Sequence, residues 1–443
     1  MRKLLVAGDI GGTNARMALY DASMASDPTQ QACVHRAAYR NDDFEQFHDL
    51  VHTFLRESGV SLVGGGDLIV SVCFAVAGPV TGDRVDFTNR KQWILDAAEL
   101  RDALSVRQAR FVNDFVANGY GLLTLDERNE CYLLQAGEPV AGAPMACVGA
   151  GTGLGECYLT LSASALSDSP AGGTRQQQNS NALDAAHNSG PPASSLQFGY
   201  DAYPTEGGHV EFAPTTELET DMLLFLQHKF SESGNRVSVE RIVSGRGLVN
   251  VYEFLRQAFP DKVTPRIDEA ILEAADGAAA IAKYAYECAL CSQAMKIMMD
   301  AYGSECGNVA LKYLPFGGLY ITGGIAPKNL EWLSTGKSDF MERFRSKGRV
   351  SPVLARIPVR VVLAEDLGLR GAHVVAARMA ASADAEPAAP SRRKRWPSAW
   401  LGGGGGGVRE RLDTVVYAIG LSAAVGSFLY TVRAFYQLAQ RAA

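Results

Sequence analysis

Apolar residues along this chain come in two rhythms: short continuous runs that end in glycine, and longer stretches with a period near 3.6. Their alternation predicts an α/β architecture. The run Leu4-Leu5-Val6 reaches Asp9, passes through the Gly-rich stretch Gly11-Gly12-Thr13-Asn14, and resumes at Arg16–Tyr20, which reads as strand, turn and return strand. Phe44, Phe47, Leu50, Val51, Phe54 and Leu55 share a helical face over residues 42–57, with Asp42 or Asp43 as the cap. A buried strand over 68–77 ends at Gly78-Pro79 and leads into a hairpin carrying Asn89. A helix over 97–104 then precedes a strand over 109–112 that stops at Asn113-Asp114.

Residues 144–161 repeat the opening pattern. A strand over 145–148, the turn GAGTGLG at 149–155 and a strand over 156–161 stand roughly 140 residues after the first hairpin, as expected of a duplicated fold with an interdomain cleft. Helices are predicted over 217–230, 239–244, 247–258 and 267–273, with one long helix over 276–302. A strand over 319–322 ends at Gly323-Gly324, and a strand over 359–363 and a helix over 367–380 close the pattern. The predicted division is a small α/β lobe over 1–112 joined by the helix 367–381, and a large α/β lobe over 113–366. Between 162 and 200 the composition turns to Ser, Ala, Asn, Gln and Pro, which predicts a disordered insertion.

With 443 residues, 47% hydrophobic and 20% charged, the chain can build two or three domains. Its net charge of −6 and the lack of a basic, aromatic-interleaved patch in the first 380 residues argue against a nucleic-acid partner. The eight cysteines have no framework spacing, and the lone pair Cys288 and Cys291 lies in a helical apolar pattern, so core thiols in a reducing compartment are expected.

The two Gly-rich turns are the candidate chemistry. A dinucleotide fingerprint or a Walker loop leads from strand to helix, whereas each turn here leads from strand to strand, and no Gly-Lys-Ser/Thr occurs in them. The first turn suits phosphate binding: Gly11 and Gly12 could adopt positive φ, Thr13 and Asn14 add donors, and Asp9 could hold a hydrated Mg²⁺. Gly323-Gly324, opening onto Ile325–Lys328, would supply a third wall.

Six motifs in order, GDIGGTN at 8–14, Asn113-Asp114, GAGTGLG at 149–155, EGGH at 206–209, VERIVSGRGL at 239–248 and GGIAPK at 323–328, resemble the bacterial-type (group A) glucokinases of the hexokinase, actin-like superfamily. The likeness spans roughly residues 3–380 apart from the insertion. It implies a two-lobed actin-like (ribonuclease H-like) fold, phosphorylation of glucose at its 6-hydroxyl by ATP with Mg²⁺, and a homodimer. It further implies Asp114 as general base, Asn113, Asp114, Glu206, His209 and Glu240 as sugar contacts, and Asp9, Gly11, Gly12, Thr13, Asn14, Gly151, Thr152, Gly153, Gly323 and Gly324 around ATP, with Asp9 reaching Mg²⁺ directly or through water. Thr205 and Arg246 depart from the family pattern at positions bearing on sugar selectivity, so a kinase for another hexose or glucosamine stays open, as does a non-catalytic, membrane-tethered sugar sensor.

Beyond residue 381 the likeness ends. Residues 382–408 read as a flexible linker with a basic cluster at Arg392–Arg395, which could alternatively be a nuclear-import patch. Residues 409–443 read as a tail anchor whose uncharged run, 414–432, would at ~1.5 Å per residue nearly match a ~30 Å hydrocarbon layer. A cytosolic catalytic domain tethered to an organelle membrane is expected, with a core or amphipathic helix in a soluble enzyme as the alternative.

Overall fold

The computed structural model describes residues 2–23, 31–60, 67–78, 80–85, 93, 95–162 and 199–385. The predicted insertion, Asn89, the linker and the apolar run 414–432 fall wholly or largely outside them. Among the described residues no helix is long and apolar enough to cross a membrane.

Chain order gives β1 (Arg2–Ile10), β2 (Asn14–Asp21), β3 (Ala32–Arg40), β4 (Asp67–Val76), β5 (Val80–Thr81), β6 (Arg84–Val85), β7 (Leu95–Asp96) and β8 (Gln108–Asn113). The later strands are β9 (Cys131–Gln135), β10 (Met145–Ala150), β11 (Leu154–Leu161), β12 (Tyr200–Thr205), β13 (Gly318–Thr322) and β14 (Val359–Val362). A five-stranded sheet has the order β3-β2-β1-β4-β8, and a six-stranded sheet runs β12-β11-β10-β13-β14-β9. In both, an antiparallel hairpin (β1–β2, β10–β11) is extended by a third antiparallel strand on one side and two parallel strands on the other. The central strands β1 and β10 are covered on both faces, which is why Leu4–Ala7 and Met145–Val148 read as unbroken apolar runs.

Helix boundaries depart from the sequence reading where tertiary contacts override the period. Neither Asp42 nor Asp43 caps the first helix, which runs Phe47–Glu57 from Gln46; these acids lie instead in the 3₁₀ turn Asn41–Asp43. The long helix expected over 276–302 is two, Gly277–Tyr284 and Ala289–Tyr313. Ala285 and Cys288 are buried in the break, so the apolar pattern continues across it and hides the interruption. Within the expected helix 239–244 only Val239–Arg241 forms a 3₁₀ turn.

Two helices position the site. Asp114–Leu122 follows β8, and Leu367–Ala385 packs its Leu369, Ala372, Val375 and Ala376 against Leu5 and Ala7 of β1 and Cys73 and Ala75 of β4. The two helices approach backbone to backbone: a Cβ on Gly371 would lie 1.7 Å from the Ala117 carbonyl oxygen, and one on Gly121 would lie 2.2 Å from that of Leu367. Glycine is needed at both positions because of this approach, whatever their φ.

Candidate active site

Asp114 begins its helix but does not cap it. Asn113 is the cap, its Oδ1 accepting the N–H groups of Phe115 at 2.9 Å and Val116 at 3.2 Å. The Asp114 carboxylate accepts the Phe115 N–H at 2.9 Å. Burial raises the Asp114 pKa to about 6, the nearby Asp9 charge adds to the rise, and the Phe115 N–H and Asn113 oppose it. A carboxylate so tuned is ionised at neutral pH and more basic than an ordinary aspartate.

Asp9 ends β1 opposite Arg16 of β2. Burial raises its pKa and Arg16 opposes the rise. Its carboxylate lies against the start of the helix Leu367–Ala385, where a Cβ on Gly368 would come within 3.2 Å of Cγ. The adjoining turn is closed by the Gly11 N–H donating to the Asn14 carbonyl at 2.9 Å, and Asn41 holds it from behind, its Nδ2 donating to the Gly11 carbonyl at 2.8 Å. Neither Gly11 nor Gly12 adopts positive φ, which corrects the conformational reason inferred for them. Gly12, Thr13 and Asn14 are instead exposed, leaving an open face on the turn.

The second turn is braced from three directions. Gly245 N–H donates to the Gly151 carbonyl at 2.8 Å, and Leu154 N–H donates to Glu240 Oε2 at 2.9 Å. The Phe115 ring lies across its base, so that a Cβ on Gly155 would fall 2.0 Å from ring carbons. Phe115 thereby ties the Asp114 helix to this turn. Gly323 has φ +79° and would carry a Cβ 2.5 Å from the Ala150 carbonyl oxygen, so glycine is required there on both counts.

Two cavities adjoin these turns. One of about 900 Å³ is lined by Gly151, Thr152, Arg246, Gly324 and Lys328 among others, and a second of about 290 Å³ by Asp9, Arg16, Asn118, Gly323, Gly324 and Lys328. Gly324 and Lys328 belong to both, so a ligand with a bulky body and an anionic tail fits across the shared edge. Gly11, Gly12, Thr13, Asn14, Gly153 and the sugar candidates Asn113, Asp114, Glu206, His209 and Glu240 line neither cavity.

Glu206 and His209 flank the 3₁₀ turn Gly207–His209, with side chains 81% and 53% exposed and His209 Nε2 3.9 Å from Glu206 Oε2. This turn touches the second hairpin, since a Cβ on Gly208 would meet the Leu154 carbonyl oxygen at 2.1 Å. Leu154 therefore joins three candidates: its carbonyl abuts the Glu206–His209 turn and its N–H holds Glu240. Among the described residues no cluster of three His, Cys, Asp or Glu could hold a metal. Mg²⁺ suits Asp9 all the same, because a hard cation that keeps its waters asks for one carboxylate beside phosphate oxygens.

Arg16, Lys328 and Glu156 escaped the sequence reading. The Lys328 signal lay within GGIAPK, but only the structure puts this cation on both cavities. Arg16 and Glu156 sit in strands, where their pairing partners and not their own spacing set their role.

The sequence profile of the Glucokinase family matches residues 6–182 and 194–379. A glucokinase from a Nostoc species is 37% identical over 388 residues, 85% of this chain and 99% of that protein. A glucokinase from a Synechocystis species is 35% identical over 386 residues, 84% and 98% of the two chains. The crystal structure of a glucokinase from an Antarctic psychrotroph superposes with TM-score 0.64 at 26% identity, covering 85% of this chain and 99% of that one.

Proposed function

The chain belongs to the glucokinase family and phosphorylates glucose with ATP, and on that premise we propose the following assignment of roles, with the 6-hydroxyl as acceptor. Asp114 takes the proton of the 6-hydroxyl as its oxygen bonds to the γ-phosphorus and the bond to the β-phosphate bridging oxygen breaks. The observation that carries this role is a half-buried carboxylate with its pKa raised to about 6 at the start of a helix. Asn113, Glu206, His209 and Glu240 hold the remaining sugar hydroxyls, and polar groups from several segments suit hydroxyls pointing in several directions.

The nucleotide occupies the larger cavity between Thr152 and Gly324, and its phosphates run toward Asp9. The N–H groups of Gly12 and Gly153, the hydroxyls of Thr13 and Thr152, and the Asn14 amide are the phosphate donors, joined by Lys328, while Gly11 and Gly151, whose N–H groups close their own turns, let the phosphates approach the backbone. A Mg²⁺ ion bound there would neutralise phosphate charge, with Asp9 holding it through water or directly. With Glu206 exposed and Asp114 half-buried, closure of the cleft over glucose would exclude water before transfer.

A coupled assay of the purified full chain over a panel of hexoses and glucosamine tests the assignment. Glucose is expected to give the highest kcat/KM, and preference for another sugar overturns that selectivity. The family likeness also favours a homodimer, which sedimentation would test. For the tail, the uncharged run 414–432 supports membrane attachment. A fluorescent fusion of residues 409–443 tests this, and a diffuse signal overturns it.

A further inference from the structure

Glu156 of β11 is 2% exposed, and neither carboxyl oxygen closes a hydrogen bond with a described residue. It lies directly under the turn that presents Glu206 and His209: a Cβ on Gly207 would stand 1.8 Å from Glu156 Oε2. Only a glycine allows that approach, so carboxyl and turn are fitted to each other.

The compartment around Glu156 holds a second acid. Glu305, on the helix Ala289–Tyr313, is 1% exposed and its charge acts on Glu156. Glu305 Oε2 accepts Asn308 Nδ2 at 3.0 Å, while Lys312 Nζ stands 3.9 Å from Oε1 and its charge acts on Glu156 as well. Lys347 is turned to the Ser304 carbonyl at 3.0 Å and Asn308 Oδ1 at 2.8 Å. From β12, Thr205 Oγ1 accepts the Gly207 N–H at 2.9 Å, and its hydroxyl acts on the Glu156 carboxyl in the sense that opposes the rise. Cys157 on β11, and Tyr302, Cys306 and Tyr313 on the helix, complete the titratable surroundings; the Cys157 pKa is raised by its Cys147 neighbour and by burial, the other three chiefly by burial. Burial, with the Glu305 charge next, keeps the proton on Glu156 at neutral pH.

We propose that Glu156 is a positioning residue for the sugar: neutral and packed beneath Gly207, it sets the register of the Glu206–His209 turn, and its ionisation displaces that turn and weakens glucose binding. This rests on the reading of Glu206 and His209 as sugar contacts. Burial, with the Glu305 charge next, pushes the Glu156 pKa up to about 8, so the effect falls on the alkaline side of neutrality.

The test is the KM for glucose of the full chain, measured from about pH 6 to about pH 9 in wild type, Glu156→Gln and Glu305→Gln. Wild type is expected to show a KM that climbs toward about tenfold per pH unit above the titration. Glu156→Gln, which keeps a neutral group of the same shape, is expected to abolish the climb. Glu305→Gln removes the charge that raises Glu156 and is expected to move the climb to lower pH, and it carries the test alone if Glu156→Gln does not fold. A flat wild-type profile, an alkaline climb retained by Glu156→Gln, or one left in place by Glu305→Gln overturns the proposal. Glu206→Ala separates the two readings, because it raises KM at every pH if the sugar site is assigned correctly. An unchanged KM in that variant defeats the sugar site, whatever Glu156 does.

Discussion

The first and second sheets share a plan, yet the ends of their corresponding strands carry different chemistry. In the first sheet β1 ends at Asp9 and Ile10, and β8 runs into Asn113 and Asp114; in the second, β10 ends at Ala150 before Gly151, and β14 ends at Val362. The strand-end carboxylates thus come from the first half, and the larger cavity is lined by the second. The turns differ in the same sense: the first is clipped from one side by Asn41 and left open, whereas the second is clamped by Gly245, Glu240 and Phe115. A repeated backbone therefore does not imply a repeated function, and each half can be tested for what it supplies.

The largest effect is expected at the acid the first half contributes. Asp114→Asn should lower kcat by about 10²–10⁴-fold while the Kd for glucose stays within a few-fold, read by single-turnover kinetics and equilibrium binding. Near-normal turnover would remove the base from the first half and break the comparison. Next is the contrast between the turns. Gly155→Ala drives a methyl into the Phe115 ring and should destabilise the fold by about 1–3 kcal/mol in denaturant titration, taking turnover down with it because Phe115 adjoins Asp114. Gly11→Ala meets only the Asn14 carbonyl oxygen, at 3.4 Å, and should leave stability within about 0.5 kcal/mol while raising the KM for ATP. Equal destabilisation by the two would mean that the turns are braced alike.

A smaller effect is expected at Glu240, which braces the second turn and is proposed to hold the sugar. Glu240→Ala removes the acceptor of the Leu154 N–H and a proposed sugar contact together, so KM for glucose and for ATP should both rise, each by roughly tenfold for a lost charged hydrogen bond of about 1.5 kcal/mol. A rise confined to one substrate would confine Glu240 to one role.

How much of this was legible beforehand follows from what each signal depends on. Strands β1 and β10 and both turns were readable because a fully covered parallel strand is a continuous apolar run that ends where glycine begins. Asp9, Asp114 and Glu240 became candidates through ordered motifs, which say nothing of their environments. The pKa of Asp114 depends on its burial and on Asp9, over a hundred residues away in sequence. Period alone could not show the break at Ala285–Cys288, since residues there are buried on the same face as before. Glu156 has the plain alternation of a strand residue, and its isolation arises only from the helix that brings Glu305 beside it.

The smallest effect concerns the link between the two carboxylates of the first half. Asp114 is raised chiefly by burial, so deleting the Asp9 charge should remove only a minor part of the rise. A carboxyl ¹³C titration of the ligand-free protein is expected to place Asp114 near about 6 in wild type and less than about one unit lower in Asp9→Asn. The readout does not pass through catalysis, so loss of a Mg²⁺ site in the variant does not confuse it. The sign has a consequence for stability: because the folded pKa lies above the unfolded one, the Asp114 contribution is present at low pH and is lost as pH rises from about 4 through about 6. The ligand-free enzyme should therefore lose stability over that window through Asp114, and Asp114→Asn should flatten the decline. A folded pKa at the ordinary aspartate value would mean that the carboxyl is solvated in the open cleft, and the basicity ascribed to the first half would then have to arise on closure.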